Sequence, residues 1–221
     1  MRAAEKYLAQ GKIPAAIQEY QRIVENDTAD FTALNTLGDL FARVDRKHEA
    51  VACFKRVAEH YREQGFSLKA IAMFKKVMRF NPGAPEVAGP LAALYEQQGL
   101  LVDARAQYLT VADAHARAGR KREALEVLRR VADLDPNNTQ IRLRLAESLL
   151  GEGLQDLAAE AFTQAGDRLA ARNDHERALE AFARAHDLQP HGHAALQGLL
   201  NSHSARGTAD EAARILEQAV A

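Results

Sequence analysis

One apolar motif recurs along the chain: an alanine, a bulky apolar residue four places on, and a small or β-branched residue three further. It reads Ala16-Tyr20-Ile23, Ala50-Phe54-Val57, Ala70-Phe74-Val77, Ala104-Tyr108-Val111, Ala124-Leu128-Val131, Ala158-Phe162-Ala165, Ala178-Phe182-Ala185 and Ala212-Leu216-Ala219. Offsets of four and seven place all three residues on one face of an α-helix. The small residue lets a neighbouring helix approach, and the large one fills the space beside it. No segment shows the strict alternation of a half-buried strand, so the pattern predicts an all-α chain.

Counted in sequence positions, the gaps from alanine to alanine run 34, 20, 34, 20, 34, 20 and 34. A long and a short gap together make 54, so the repeating unit holds three helices. Gly11, Gly65 and Gly119 follow the same 54-residue step, with Asn173 next; Gly99, Gly153 and Gly207 form a second series, with Asp45 in the matching place. Gly and Asn tolerate the left-handed conformation that ends helices. Asn81-Pro82, Asp135-Pro136 and Gln189-Pro190 stop one helix type, because proline cannot continue it. Asp30, Asp45, Ser67, Asp174 and Thr208 are candidate N-caps, and Pro14 and Pro85 suit a first turn. These signals predict helices over 2–10, 13–26, 30–43, 46–64, 67–80, 85–98, 100–118, 121–134, 138–151, 154–172, 175–188, 192–206 and 208–220. Pro90 falls inside one of them and predicts a distorted turn at Gly89-Pro90.

At this point the residues resemble the tetratricopeptide repeat family. Its first-helix pattern, apolar-x2-Leu-Gly/Ala-x2-aromatic, stands as Leu34, Leu37, Gly38 and Phe41, then more weakly as Leu91, Ala92 and Tyr95, as Leu145, Ala146 and Leu149, and as Leu199, Leu200 and His203. Its second-helix pattern stands as Ala70, Phe74, Val77 and Pro82, and again as Ala178, Phe182, Ala185 and Pro190. The resemblance spans the chain and implies a right-handed α-solenoid of antiparallel helix pairs. The chain departs from the family in its short gaps. Asp45 to Gln64 contains no Gly or Pro, so one long helix closes one repeat and opens the next. Asp103–Ala118 and Asp156–Arg172 read likewise, although Gly166 weakens the pattern of the last. The expected organisation is one domain: a partial unit at 1–11, units at about 12–65, 66–119 and 120–173, and an incomplete unit at 174–221. An odd helix count also undermines the usual assumption about which helices line a groove.

Composition narrows the function. The chain has 221 residues, 47% of them apolar, with 29 basic and 30 acidic side chains. That balance argues against nucleic-acid binding, which depends on neutralising phosphates. One cysteine allows no internal disulfide. No apolar run reaches membrane-spanning length, and Met1 to Gln10 lacks a signal-peptide core, so a cytoplasmic location without membrane insertion is expected. No phosphate loop or nucleophile elbow is present. Neither enzyme activity nor a cofactor or metal is expected.

The resemblance implies a non-catalytic scaffold that binds a peptide or helical segment of a partner protein. Groove positions of the family map to Thr32, Asn35, Asp39 and Arg43, then to Glu86, Glu96 and Gln97, Gln140 and Glu147, and Gln197 and Asn201. Ordinary solvated helix surface is the competing reading of each. Asn35 and Asp39 stand where family members that hold a C-terminal carboxylate carry a Lys/Asn pair, which disfavours that mode here. Arg120, Lys121, Arg122, Arg129 and Arg130 form the densest basic cluster, but Glu123, Glu126 and Asp133 interleave with it. His175, His186, His191 and His193 lack the spacing of a helical metal pair. Cys53, beside the core residue Phe54, reads as a structural thiol. The alternative function is structural assembly: self-association or docking through exposed terminal helices, since the last helix keeps an apolar stripe without an obvious cap.

Overall fold

Helices account for most of residues 2–220, the part that the computed structural model describes (with side chains as far as Glu217), and no strand occurs among them. In chain order the described residues form α1 (Arg2–Ala9), α2 (Ile13–Asn26), α3 (Phe31–Arg43), α4 (Lys47–Glu63), α5 (Ser67–Phe80), α6 (Pro85–Gln97) and α7 (Leu101–Arg117). They continue as α8 (Lys121–Leu134), α9 (Thr139–Gly151), α10 (Gln155–Ala170), α11 (His175–Leu188), α12 (His193–Ala205) and α13 (Ala209–Val220). Every limit lies within about two residues of the one read from the sequence. Their lengths cycle: α2, α5, α8 and α11 have 14 residues, α3, α6, α9 and α12 have 13, and α4, α7 and α10 have 17, 17 and 16.

Eight turns share one closure. Gly11, Asp45, Gly65, Gly99, Gly119, Gly153, Asn173 and Gly207 take left-handed φ values between 59° and 76°. The following residue returns its N–H to the carbonyl five places back, as Phe66 does to Tyr61 and Leu100 to Tyr95, both at 2.8 Å. This is the Schellman closure, in which the residue after the left-handed one also packs over the final turn. Asp45 therefore occupies the left-handed place rather than an N-cap. Ser67 is likewise not a cap: it is the first residue of α5, and its hydroxyl donates to Gln97 Oε1 at 3.2 Å. The Thr208 hydroxyl donates to the His203 carbonyl. Asp30 and Asp174 do cap their helices, accepting from Ala33 and Arg177 N–H, and Asn138 caps α9.

The turn expected to be distorted at Gly89-Pro90 is an unbroken part of α6. Proline deletes the hydrogen bond to the Glu86 carbonyl, but Glu86 lies in the exposed first turn, where water can take the bond. Glycine ahead of the proline removes the Cβ that would clash in the helical conformation.

The chain forms two compact units, residues 1–110 and 111–221. In each, helices pack chiefly on their chain neighbours: α1 to α6 in the first, α8 to α13 in the second. This is solenoid packing, in which stacked hairpins share a core. Phe54, Phe74, Phe162 and Phe182, the bulky members of four apolar triplets, are at most 1% exposed. The last triplet differs. Leu216 is 44% exposed, Ala212 is half-buried, and Ala219 lies outside the residues whose side chains are described.

Glycine fixes two of these aromatics. A Cβ on Gly38 would lie 2.8 Å from Phe54 Cε1. Phe182 is held from two sides, since a Cβ would lie 2.7 Å from its ring at Gly166 and 2.4 Å at Gly198. Gly166 accordingly sits inside an unbroken α10.

Candidate functional site

Asn35 and Asp39 are four positions apart on α3 and share a face. Lys76 on α5 reaches both, donating to Asn35 Oδ1 at 3.1 Å and to the two Asp39 oxygens at 2.8 and 3.0 Å. Its ammonium stands 4.6 Å from the centre of the Phe54 ring, which α4 supplies from below. Gly38 allows that ring to lie so close to α3. Beyond the bridge is an open pocket of about 370 Å³ lined by Asp39, Ala42, Arg43, Phe54, Lys76 and Arg79, with Phe80 at its edge. Three cations and one carboxylate thus stand above the buried Phe54 ring, with the half-buried Phe80 beside them. Arg43 and Arg79 make no ion pair among the described residues.

The second unit carries a bridge of the same design. Arg184 on α11 pairs with both carboxylate oxygens of Glu147 on α9, and its guanidinium lies 4.4 Å above the Phe162 ring of α10. Glu147, Phe162 and Arg184 each stand 108 positions after Asp39, Phe54 and Lys76. The same unit has a leucine-floored cavity of about 200 Å³ between Leu125, Leu145, Leu149 and Leu157. Arg142 enters it largely buried, donating to Gln164 and to the Ala132 carbonyl. Burial, reinforced by Arg168, pushes the Arg142 guanidinium below its ordinary value.

Of the positions read from sequence, the structure brings Asn35, Asp39 and Arg43 together. Thr32 is exposed, and its carbonyl accepts from Thr36. Glu86 and Gln140 are exposed on their helices. Glu96 accepts from the Tyr108 hydroxyl at 2.8 Å, and Gln97 from Ser67. Gln197 donates to Asn201 at 3.0 Å. Sequence reasoning missed Lys76, Arg79 and Phe80 because α5 was read only through its buried stripe. The signal was present: one acid-to-cation spacing serves both Asp39/Lys76 and Glu147/Arg184.

The other chemistry-bearing groups are placed simply. Cys53 is buried, and desolvation pushes its thiol up to about 11. Lys121 pairs with Glu152 at 2.7 Å, and Arg120 donates to His115. Among the described residues no group of three or more His, Cys, Asp or Glu side chains converges as a metal site would require. No described helix is long and apolar enough to cross a membrane.

Comparison with known proteins agrees with this architecture. Family models of the tetratricopeptide repeat match residues 1–59 and 105–148. No curated protein sequence matches the chain. Similar solved structures include a MamA protein, at 20% identity, covering 78% of this chain and 91% of that one, with a TM-score of 0.33. Another is BtubC from P. vanneervenii, at 15% identity, covering 98% and 89%, with a TM-score of 0.41. A third is YrrB, described as a TPR protein with an unusual peptide-binding site, at 19% identity, covering 80% and 96%, with a TM-score of 0.26. In these two matched segments the chain is similar to the tetratricopeptide repeat family, and its helix hairpins there carry the family's pattern.

Proposed function

We propose that the chain is a non-catalytic interaction scaffold, and that in its first unit a segment of a partner protein seats in the pocket between α3 and α5. The observation that carries this reading is the Lys76 bridge over Phe54. It holds one cation in place, offsets it with Asp39, and leaves Arg43 and Arg79 facing the same open space. A partner segment with an aliphatic or aromatic side chain next to an acidic residue matches that lining. The helix lengths that cycle through 14, 13 and 17 residues support the companion reading of a three-helix repeating unit.

The test is to pan a displayed peptide library on the full chain and to measure the enriched peptides by fluorescence polarisation. The expected peptides are acidic and apolar, and they weaken at least tenfold against Arg43→Glu/Arg79→Glu. Unchanged binding to Asn35→Ala/Asp39→Ala/Arg43→Ala would remove the pocket from consideration. Leu216, 44% exposed on α13, supports a second reading in which the terminal helix docks on another chain. Leu216→Glu, followed by light scattering, tests it.

A further inference from the structure

The most exposed large apolar side chains of the first unit share one edge. Phe66 and Leu68 lie at the turn from α4 into α5, and Leu100, Leu101 and Val102 lie at the turn from α6 into α7. The hydrogen bond from Ser67 to Gln97 joins the two turns. Leu68 and Val102 are 69% and 70% exposed.

The turn motif accounts for part of this. Phe66 makes an edge contact with the Tyr61 ring, as the residue after a left-handed glycine commonly does, and Arg46 plays the same part over Phe41. Leu68, Leu101 and Val102 have no such task. The chain's own repetition shows that the fold does not need them. One repeat step before Leu68 stands Pro14, and one and two steps after it stand Arg122 and Glu176. The places matching Leu101 hold Lys47, Gln155 and Ala209, and those matching Val102 hold His48, Asp156 and Asp210. Leucine or valine at these surface positions is thus peculiar to one edge of one unit.

Charge identifies the occupant. The α4/α5 turn carries Lys69, whose ammonium lies 4.9 Å from the centre of the Phe66 ring, and the α6/α7 turn carries Asp103. One turn thus presents a cation and its neighbour an anion, with apolar residues on both. A two-fold axis between them sets the basic turn of each copy against the acidic turn of the other, the self-complementarity that an isologous interface requires. Taking about 200 Å² for a fully exposed residue of this size, the five side chains offer roughly 550 Å² per copy. Two copies then bury roughly 1,100 Å² before any rim residue is counted, which clears the roughly 1,000 Å² a biological interface needs and suits a weak dimer. We infer that this edge is the contact surface of a symmetric homodimer, with Lys69 of each copy facing Asp103 of the other.

Sedimentation equilibrium of the full chain, from micromolar to about 500 µM, tests the inference. Wild type should show a monomer–dimer equilibrium. Leu68→Glu/Val102→Glu should weaken it at least tenfold, with helical circular dichroism unchanged. Lys69→Asp and Asp103→Lys should each weaken dimerisation, and the double swap should restore it. The inference is overturned by a wild type that stays monomeric throughout. It is also overturned by a dimer that survives Leu68→Glu/Val102→Glu or disperses only with Leu216→Glu, and by charge swaps that do not rescue each other. Flotation of a monomeric wild type with phosphatidylcholine vesicles, abolished by Leu68→Glu/Val102→Glu, would assign the edge to a lipid surface instead. The edge is separate from the α3/α5 pocket, so peptide binding by the dimer-breaking variants should match wild type whichever result is obtained.

Discussion

Adding one methyl group at Gly198 should cost more stability than its small size suggests. A Cβ built there lies 2.4, 2.5 and 2.6 Å from three carbons of the Phe182 ring, well inside van der Waals contact. The ring is 1% exposed and cannot swing away freely, because Gly166 on α10 also packs against it, with a built Cβ 2.7 Å from the ring. Two effects oppose each other. Overpacking of a well-filled core costs about 1–3 kcal/mol, and this contact belongs at the upper end. Replacing glycine by alanine inside a helix returns about 1 kcal/mol. The net expectation is a loss of about 2 kcal/mol. Gly151 supplies the control: it lies in α9 with nothing within 4 Å of its added Cβ, so Gly151→Ala should stabilise by up to about 1 kcal/mol. The chain has no tryptophan, so urea unfolding is best followed by circular dichroism. Phe182→Leu combined with Gly198→Ala should recover part of the loss, since a smaller side chain leaves room for the methyl. Equal effects of Gly198→Ala and Gly151→Ala would refute the argument that ring contact rather than helix propensity governs this site.

Four further outcomes are expected. Asp30→Ala removes the acceptor of the Ala33 N–H and should cost about 1 kcal/mol in urea unfolding, whereas Asp30→Asn should be nearly neutral. Asn173→Gly, at a left-handed residue with φ of 61°, should stabilise the chain by about 0.5–1 kcal/mol in the same assay, with Gly153→Ala acting in the opposite direction. Lys76→Met should cost no more than about 1 kcal/mol because its Asp39 partner is half exposed, and a double-mutant cycle with Asp39→Asn should show coupling that shrinks with salt. A free thiol ionises near 9, while folding holds Cys53 protonated to about 11. The stability gained from this is complete below pH 9 and is lost as pH rises through the folded value, and disulfide-reagent labelling at pH 8 should be much slower in the native chain than in urea.

The helices were legible in sequence because their signals are local. An i, i+4, i+7 apolar triplet reports a buried face without knowledge of what covers it, and a left-handed turn selects its own residue, as Asp45 and Asn173 show beside six glycines. What was misread depends on partners distant in the chain. Ser67 looks like a cap until Gln97, on the next helix, is seen to accept its hydrogen bond. Gly166 looks like a weakness in a helix until the Phe182 ring is set against it. In the pocket, Asn35, Asp39 and Arg43 lie on one helix and could be read together. Lys76 and Arg79 join them only because α5 packs beside α3 over the Phe54 ring.

The two bridges also bear on the proposed three-helix unit. Core residues recur at every repeat step: Phe54, Tyr108 and Phe162 are all bulky and buried. The bridge does not follow that step. One step after Asp39 stands Ala93, where no carboxylate is available, and the acid, ring and cation return together only at Glu147, Phe162 and Arg184. In a zigzag of antiparallel helices an odd number per unit moves each helix type to the other layer at every step. Core positions are indifferent to that exchange, because each is enclosed wherever it falls. A surface position is not indifferent, since its neighbours across the layer and the ligand it meets change with the layer. On the three-helix reading, selection for the core should therefore repeat at every step and selection for a surface device at every second one, which is the pattern these six residues show. Transplanting the acid to the intermediate place tests this directly. Ala93→Asp supplies the missing carboxylate at the intermediate place. Under this reading it should change stability by less than about 0.5 kcal/mol, as surface substitutions usually do, and should create no peptide affinity. A gain in peptide binding comparable to the loss caused by Arg43→Glu/Arg79→Glu would show that the successive surfaces are equivalent and that the layer exchange does not occur.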